Sequence, residues 1–68
     1  MLKGKVKFFN QKNKFGFITD ERGTDYYVHA KDVEGNPLEE GDTVEFEVRS
    51  VKRGLEAFEV RKILVDNN

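Results

Sequence analysis

Alternation with period two runs through the apolar segments of this chain, and no ten-residue stretch carries helical spacing. The clearest case is 43–49 (TVEFEVR), where Val44, Phe46 and Val48 share one face and Glu45, Glu47 and Arg49 the other. A strand with one apolar face must bury that face against other strands when no helix is present to cover it. Four further segments read as strands: 3–10 (KGKVKFFN), 14–19 (KFGFIT), 25–29 (DYYVH) and roughly 56–64. Turns fall at 11–13, 20–24 and 52–54, and a longer connection runs through 30–42, broken by Gly35, Asn36, Pro37 and Gly41.

Five short strands in 68 residues leave little choice of architecture. So small a chain cannot leave many strand edges unpaired, so the expectation is an all-β, five-stranded antiparallel barrel of the OB type. One domain is expected over 1–68, with its core within 2–64 and a C-terminal tail at 65–68. The inward set is read as Val6, Ile18, Val28, Val44, Phe46, Val48, Phe58 and Val60. Val6 and Phe8 share parity, so strict alternation would bury both; a β-bulge near Lys7–Phe9 would turn one of them outward.

Stability must come from this core alone, because the chain has no cysteine for a disulfide or a thiolate metal site. No apolar run exceeds three residues, which excludes a transmembrane helix and a secretion signal and makes the cytoplasm the expected location. The net charge of −1 argues against indiscriminate attraction to a polyanion. The charges are nevertheless segregated. Residues 1–19 hold Lys3, Lys5, Lys7, Lys12 and Lys14 and no acid; 20–47 is strongly acidic; Arg49, Lys52, Arg53, Arg61 and Lys62 follow. If the fold joins the two basic ends, one side is basic and the other acidic; a generic mixed surface is the plainer alternative.

The two central strands carry the chemistry. Phe15 and Phe17 face one way and Gly16 and Ile18 the other; Tyr27 and His29 face away from Tyr26 and Val28. Burying the rings and exposing Ile18 and Val28 would put Tyr27 and His29 in the interior and waste Gly16 on the surface, a poorer core by composition. With no second layer to cover them, the rings are expected in solvent, an arrangement that marks an interaction surface. Flat side chains stack on any unpaired base, and neighbouring lysines neutralise phosphates, whereas the bases of a duplex are already stacked on one another.

These residues also carry a resemblance. KFGFI (14–18) and YYVHA (26–30), preceded by GKVKFFN (4–10) and followed by LEEGDTVEFEV (38–48), are similar to the bacterial cold-shock protein family from about residue 2 to 62. The resemblance implies RNP1-like and RNP2-like strands side by side on an OB barrel, binding of single-stranded RNA and DNA, and RNA-chaperone or antitermination activity. By position it implies nucleic-acid contact at Lys7, Phe8, Phe15, Phe17, Tyr27 and His29, with Phe9, Asn10, Asp25 and Arg53 at the margin. Lys12 and Lys14 join this set as basic residues beside the rings. Phe8 stands where the family commonly has tryptophan, and Tyr27 replaces a phenylalanine.

Three departures matter. Asn13-Lys14 stand in place of the family's Lys-Gly, and Asn13 is the expected left-handed residue of that turn. Ala30 replaces an aromatic, and the connection 31–42 is short and lacks its own. A shorter footprint and weaker binding are expected.

No enzyme is expected, and no cofactor or metal. His29 is the only histidine and has no second titratable group at a suitable spacing, and the acids of 39–47 alternate as a solvated face does. A protein-docking or oligomerisation module using the same strip, and an S1-like ribosomal RNA-binding module, are the alternatives. Lysine interleaving disfavours the first. A monomer is expected, with strand exchange hinged at 30–42 as the alternative.

Overall fold

The computed structural model describes residues 1–35 and 37–63. Five strands form: β1 (Leu2–Asn10), β2 (Phe15–Asp20), β3 (Asp25–His29), β4 (Thr43–Val51) and β5 (Gly54–Lys62). Their described ends lie within two residues of the expected ones; the expected strand end at residue 64 and the tail at 65–68 fall outside the described residues. The connection read as loop contains one 3-10 turn, Ala30–Asp32, capped by the His29 side chain, which accepts from the Lys31 amide.

The strands close into a barrel in the order β1-β2-β3-β5-β4, the five-stranded OB-type arrangement. The expectation of an antiparallel barrel is met at four of the five seams, because a ring with an odd number of strands cannot alternate direction at every seam. The exception is β3 against β5, which run parallel and meet through Tyr27 and Glu56. The other four seams are antiparallel.

Two irregularities decide which residues face inward. Between Val6 and Phe8 the β1–β2 register slips by one, making Lys7 the extra residue of a bulge. Val6 is therefore buried while Phe8, of the same parity, is 40% exposed. Phe9 turns back and packs partly against the core. Gly16 makes the close approach of the two strands possible, since a Cβ there would lie 2.3 Å from the Phe8 carbonyl oxygen.

The second slip lies in β4–β5, where the register shifts between Glu45 and Glu47 and Glu59 takes a left-handed φ of 50°. One expectation about the core fails for this reason. Phe58 was assigned to the interior by alternation from Val60, but the extra residue breaks that alternation and brings Ala57 inward instead. Phe58 is left half-buried, with the Arg49 guanidinium 4.8 Å from its ring centroid.

The core comprises Val6, Ile18, Tyr26, Val28, Leu38, Val44, Phe46, Ala57 and Val60, with Val48 partly buried beside it. Phe46, wholly buried, meets Tyr26 at 5.3 Å between ring centroids. Tyr26 satisfies its hydroxyl by donating to Asp20 Oδ2 at 2.8 Å, so it can sit inside without an orphaned polar atom. Leu38 comes from the long connection and plugs the barrel end. Its carbonyl accepts from Gln11 Nε2, and the neighbouring backbone ties to β1 through Gly41 N to Val6 O at 2.8 Å and Val6 N to Asp42 O at 2.9 Å.

Candidate nucleic-acid interface

The β2–β3 ladder runs without interruption from Phe15↔His29 through Phe17↔Tyr27 to Thr19↔Asp25. An unbroken antiparallel register keeps directly opposed residues on the same side of the sheet. Ile18, Tyr26 and Val28 therefore line the core, and Phe15, Phe17, Tyr27 and His29 stand half-buried on the outside. The bulge at Lys7 brings Phe8 to the same side.

The four rings form one continuous patch. Phe8 lies 5.7 Å from Phe17 and 6.3 Å from Phe15; Phe15 stacks on Tyr27 at 5.9 Å, and Phe17 meets Tyr27 edge-on at 6.0 Å. Contacts between the rings hold them in place, while their outer surfaces remain open to a flat ligand. His29 extends the row. Its Nδ1 accepts from Lys31 N at 3.1 Å, so the neutral imidazole carries its proton on Nε2, which is left as a donor.

The charged residues fall into two groups. Lys7 is paired with Asp25 at 3.0 Å, and Asp25 also accepts from the Thr19 hydroxyl at 2.7 Å. The Thr19 hydroxyl first, then the Lys7 ammonium, hold the Asp25 carboxyl below the ordinary aspartate range. Lys12 and Lys14 are exposed at the β1–β2 turn and have no ion-pair partner among the described residues.

That turn differs from expectation in one respect. Lys14, not Asn13, takes the left-handed conformation, with φ 63°. Asn10 shapes the turn, its side chain accepting from Asn13 N at 2.9 Å and its carbonyl from Lys14 N at 2.7 Å. Asn10 still pairs with Phe15, so the β1–β2 register is kept.

The sequence-derived residues thus divide by location. Phe8, Phe15, Phe17, Tyr27 and His29 form the row, with Lys7 and Asp25 at its edge. A cleft of about 730 Å³ lies beside them, and Arg53 reaches it from the β4–β5 turn. Phe9 and Lys14 instead line a smaller groove with Gln11, Ala30, Val33 and Leu38. Six residues of the cleft were not anticipated: Lys31, Val51, Lys52, Gly54, Leu55 and Glu56. Val51 and Leu55 are 38% and 43% exposed, and apolar residues beside a turn were the available signal.

Among the described residues no cluster of three or more His, Cys, Asp or Glu side chains is placed to hold a metal ion, and no helix is long and apolar enough to cross a membrane.

Comparison with known proteins agrees with this geometry. The family described as the 'Cold-shock' DNA-binding domain matches residues 2–63. The cold shock-like protein of Thermotoga maritima is 43% identical over 65 residues, covering 91% of this chain and 98% of its own. Cold shock protein CspD of Bacillus subtilis is 46% identical over 66 residues, covering 93% and 100%. The major cold shock protein CspA of Pseudomonas aeruginosa is 43% identical over 63 residues, covering 88% and 91%. Among solved structures, drosophila Unr CSD456 superposes with a TM-score of 0.77 at 21% identity, over 98% of this chain and 28% of that one, which speaks to the fold alone. On the family match and on identity across nearly the whole length of these relatives, the chain belongs to the cold-shock domain family.

Proposed function

We propose that the protein binds single-stranded RNA and DNA, stacking successive bases on Phe8, Phe15, Phe17 and Tyr27. The observation that carries this reading is the unbroken, half-exposed patch of four rings on one side of a barrel whose other side of the same strands is core. Stacking is indifferent to base identity and contributes about 1–3 kcal/mol per base. His29 adds a hydrogen-bond donor at the end of the row. Lys7, Lys12, Lys14 and Arg53 neutralise phosphates, Lys7 exchanging Asp25 for a phosphate oxygen as the ligand arrives. Phe9 and Asn10 act at one remove, Phe9 by packing beneath the row and Asn10 by holding the turn that carries Lys14.

A protein that takes up unpaired bases competes with base pairing, so weak RNA secondary structure melts in its presence. This is the physical content of an RNA-chaperone or antitermination role. Ala30 presents no ring, and the 31–42 connection supplies none, so the footprint is shorter and binding weaker than in members with aromatics at those positions.

Titration with oligothymidine, followed by tyrosine emission, tests the reading. Emission changes on binding, high salt reverses the change, and a duplex of equal length competes poorly. Equal competition by duplex, or no response to any oligonucleotide, contradicts it.

A further inference from the structure

The seam between β3 and β5 has few backbone pairings. After Tyr27↔Glu56 the next is the isolated bridge Val33↔Val60, reinforced by Glu34 N to Val60 O at 2.8 Å. Between these two points β5 carries the left-handed Glu59, and the chain opposite is His29 and the 3-10 turn Ala30–Asp32.

The Arg49 side chain spans this gap. Its guanidinium lies 4.8 Å from the Phe58 ring centroid, bonds Glu56 Oε1 through Nε at 2.8 Å, and reaches Asp32 Oδ2 through Nη2 at 3.5 Å. It thereby joins β5 to the turn that follows β3. Asp32 Oδ2 is shielded from solvent and accepts no hydrogen bond among the described residues. Arg49 is also the only cation paired with Asp32 among them. A shielded carboxylate stripped of its counter-charge is costly, so without Arg49 the side chain is driven toward water. Asp32 is the third residue of a three-residue turn, so that displacement acts on the turn as a whole. The middle residue, Lys31, gives its amide to His29 Nδ1 at 3.1 Å, which fixes the imidazole and leaves its proton on Nε2.

We infer that Arg49 is a positioning residue for the His29 end of the aromatic row. By neutralising Asp32 it keeps the 3-10 turn closed, and the closed turn holds the imidazole with Nε2 as the free donor. Arg49 acts from behind the row, through the turn. Its effect on binding rests on the stacking reading of the rings.

The test compares wild type, Arg49→Gln, Arg49→Gln/Asp32→Asn and Phe17→Ala, each shown by thermal melts to be folded. The first readout needs no oligonucleotide: nitrogen NMR of the His29 ring at about pH 8, above the ordinary histidine range, together with hydrogen exchange of the Lys31 amide. Wild type shows one neutral tautomer and a protected Lys31 amide. Arg49→Gln admits the second tautomer and speeds Lys31 exchange. The double variant replaces the ion pair with two amides able to bond each other, and restores both signals. The second readout is octathymidine affinity. Arg49→Gln lowers it by about two- to tenfold, the range of one hydrogen bond, and the double variant recovers part of the loss. The unrecovered part belongs to Glu56, which both variants release. Wild-type ring signals in Arg49→Gln, or a double variant that leaves them altered, overturn the positioning role, and any loss of affinity then belongs to charge alone. Phe17→Ala separates this role from the stacking reading. If Phe17→Ala binds as wild type, the stacking reading falls and the effect of Arg49 on binding falls with it. If it loses binding while Arg49→Gln keeps both readouts, only the role of Arg49 falls.

Discussion

The β2–β3 ladder and the β4–β5 ladder are both antiparallel, and their outer surfaces have little in common. On β2–β3 the register is continuous and the outer side carries uncovered rings. On β4–β5 an inserted residue at Glu59 breaks the register, and the charges nearby are spent on one another: Arg49 on Glu56, Arg61 on Glu45 at 2.6 Å, and Lys62 on Asp42 at 3.2 Å. A self-neutralised surface has little to offer a polyanion, whereas rings beside unpaired lysines have both the stacking area and the charge it needs. On the proposed reading the barrel therefore binds through one side although its net charge is only −1. The difference teaches that pairing, more than composition, selects the face.

The core beneath both ladders gives the largest expected effect. Phe46 is wholly buried on β4 and packs on Tyr26 of β3, so Phe46→Ala removes the contact that joins the two regions. A loss of about 3–5 kcal/mol in stability is expected from denaturant unfolding, as for other buried phenylalanines. Oligonucleotide affinity should hold wherever the variant remains folded, since Phe46 presents nothing to the outer row. A loss of binding in the folded variant would show that the row and the core are not separable.

Among the described residues two non-glycine residues take the left-handed conformation, Lys14 in the turn just before β2 and Glu59 within β5. Substitution by glycine relieves about 1 kcal/mol at each site, seen as a higher denaturation midpoint. The two differ in binding. Lys14→Gly removes a cation next to the rings and should weaken oligonucleotide affinity and flatten its salt dependence, whereas Glu59→Gly should leave both as they are. Equal binding by the two variants would erase the distinction between the regions at this position.

The smallest effect concerns acid. Asp20 accepts from Thr24 N and Arg22 N at 2.9 Å each and from the Tyr26 hydroxyl at 2.8 Å; the Thr24 amide, then the Tyr26 hydroxyl, hold its carboxyl below the ordinary aspartate range. Asp25 is lowered as well. Carboxyls depressed in the folded state contribute stability that is fully present above the unfolded aspartate value of about 3.9 and lost as pH falls through the folded values. Thermal melts from pH 6 down to pH 2 should show this acid limb, and Asp20→Asn should make it shallower. An acid limb unchanged in that variant would assign the loss to other carboxylates.

Sequence legibility followed the same division. On β2 and β3 the pattern of Phe15, Phe17, Tyr27 and His29 against Ile18 and Val28 gave the right side for every residue, because no extra residue intervenes. Phe58 was misplaced because a bulge leaves little mark on the sequence: Glu59 carries no signal that it adopts φ 50°. The β1 bulge was legible only as a conflict between Val6 and Phe8, and its resolution needed the observed register. Leu38 was missed as core because it sits in a connection, where alternation gives no guidance. Leu55 and Val51 were missed for a different reason: they line the cleft beside the rings only because closure of the barrel brings β5 against β3 through a single pair, Tyr27 and Glu56.

The most direct measurement sets binding against folding for the rings themselves. Phe15→Ala, Phe17→Ala and Tyr27→Ala are titrated with oligothymidine while their melting temperatures are recorded. Outer-face stacking predicts affinity losses of about 1–3 kcal/mol per ring with melting close to wild type. Wild-type affinity in all three, or losses that merely follow unfolding, would contradict it.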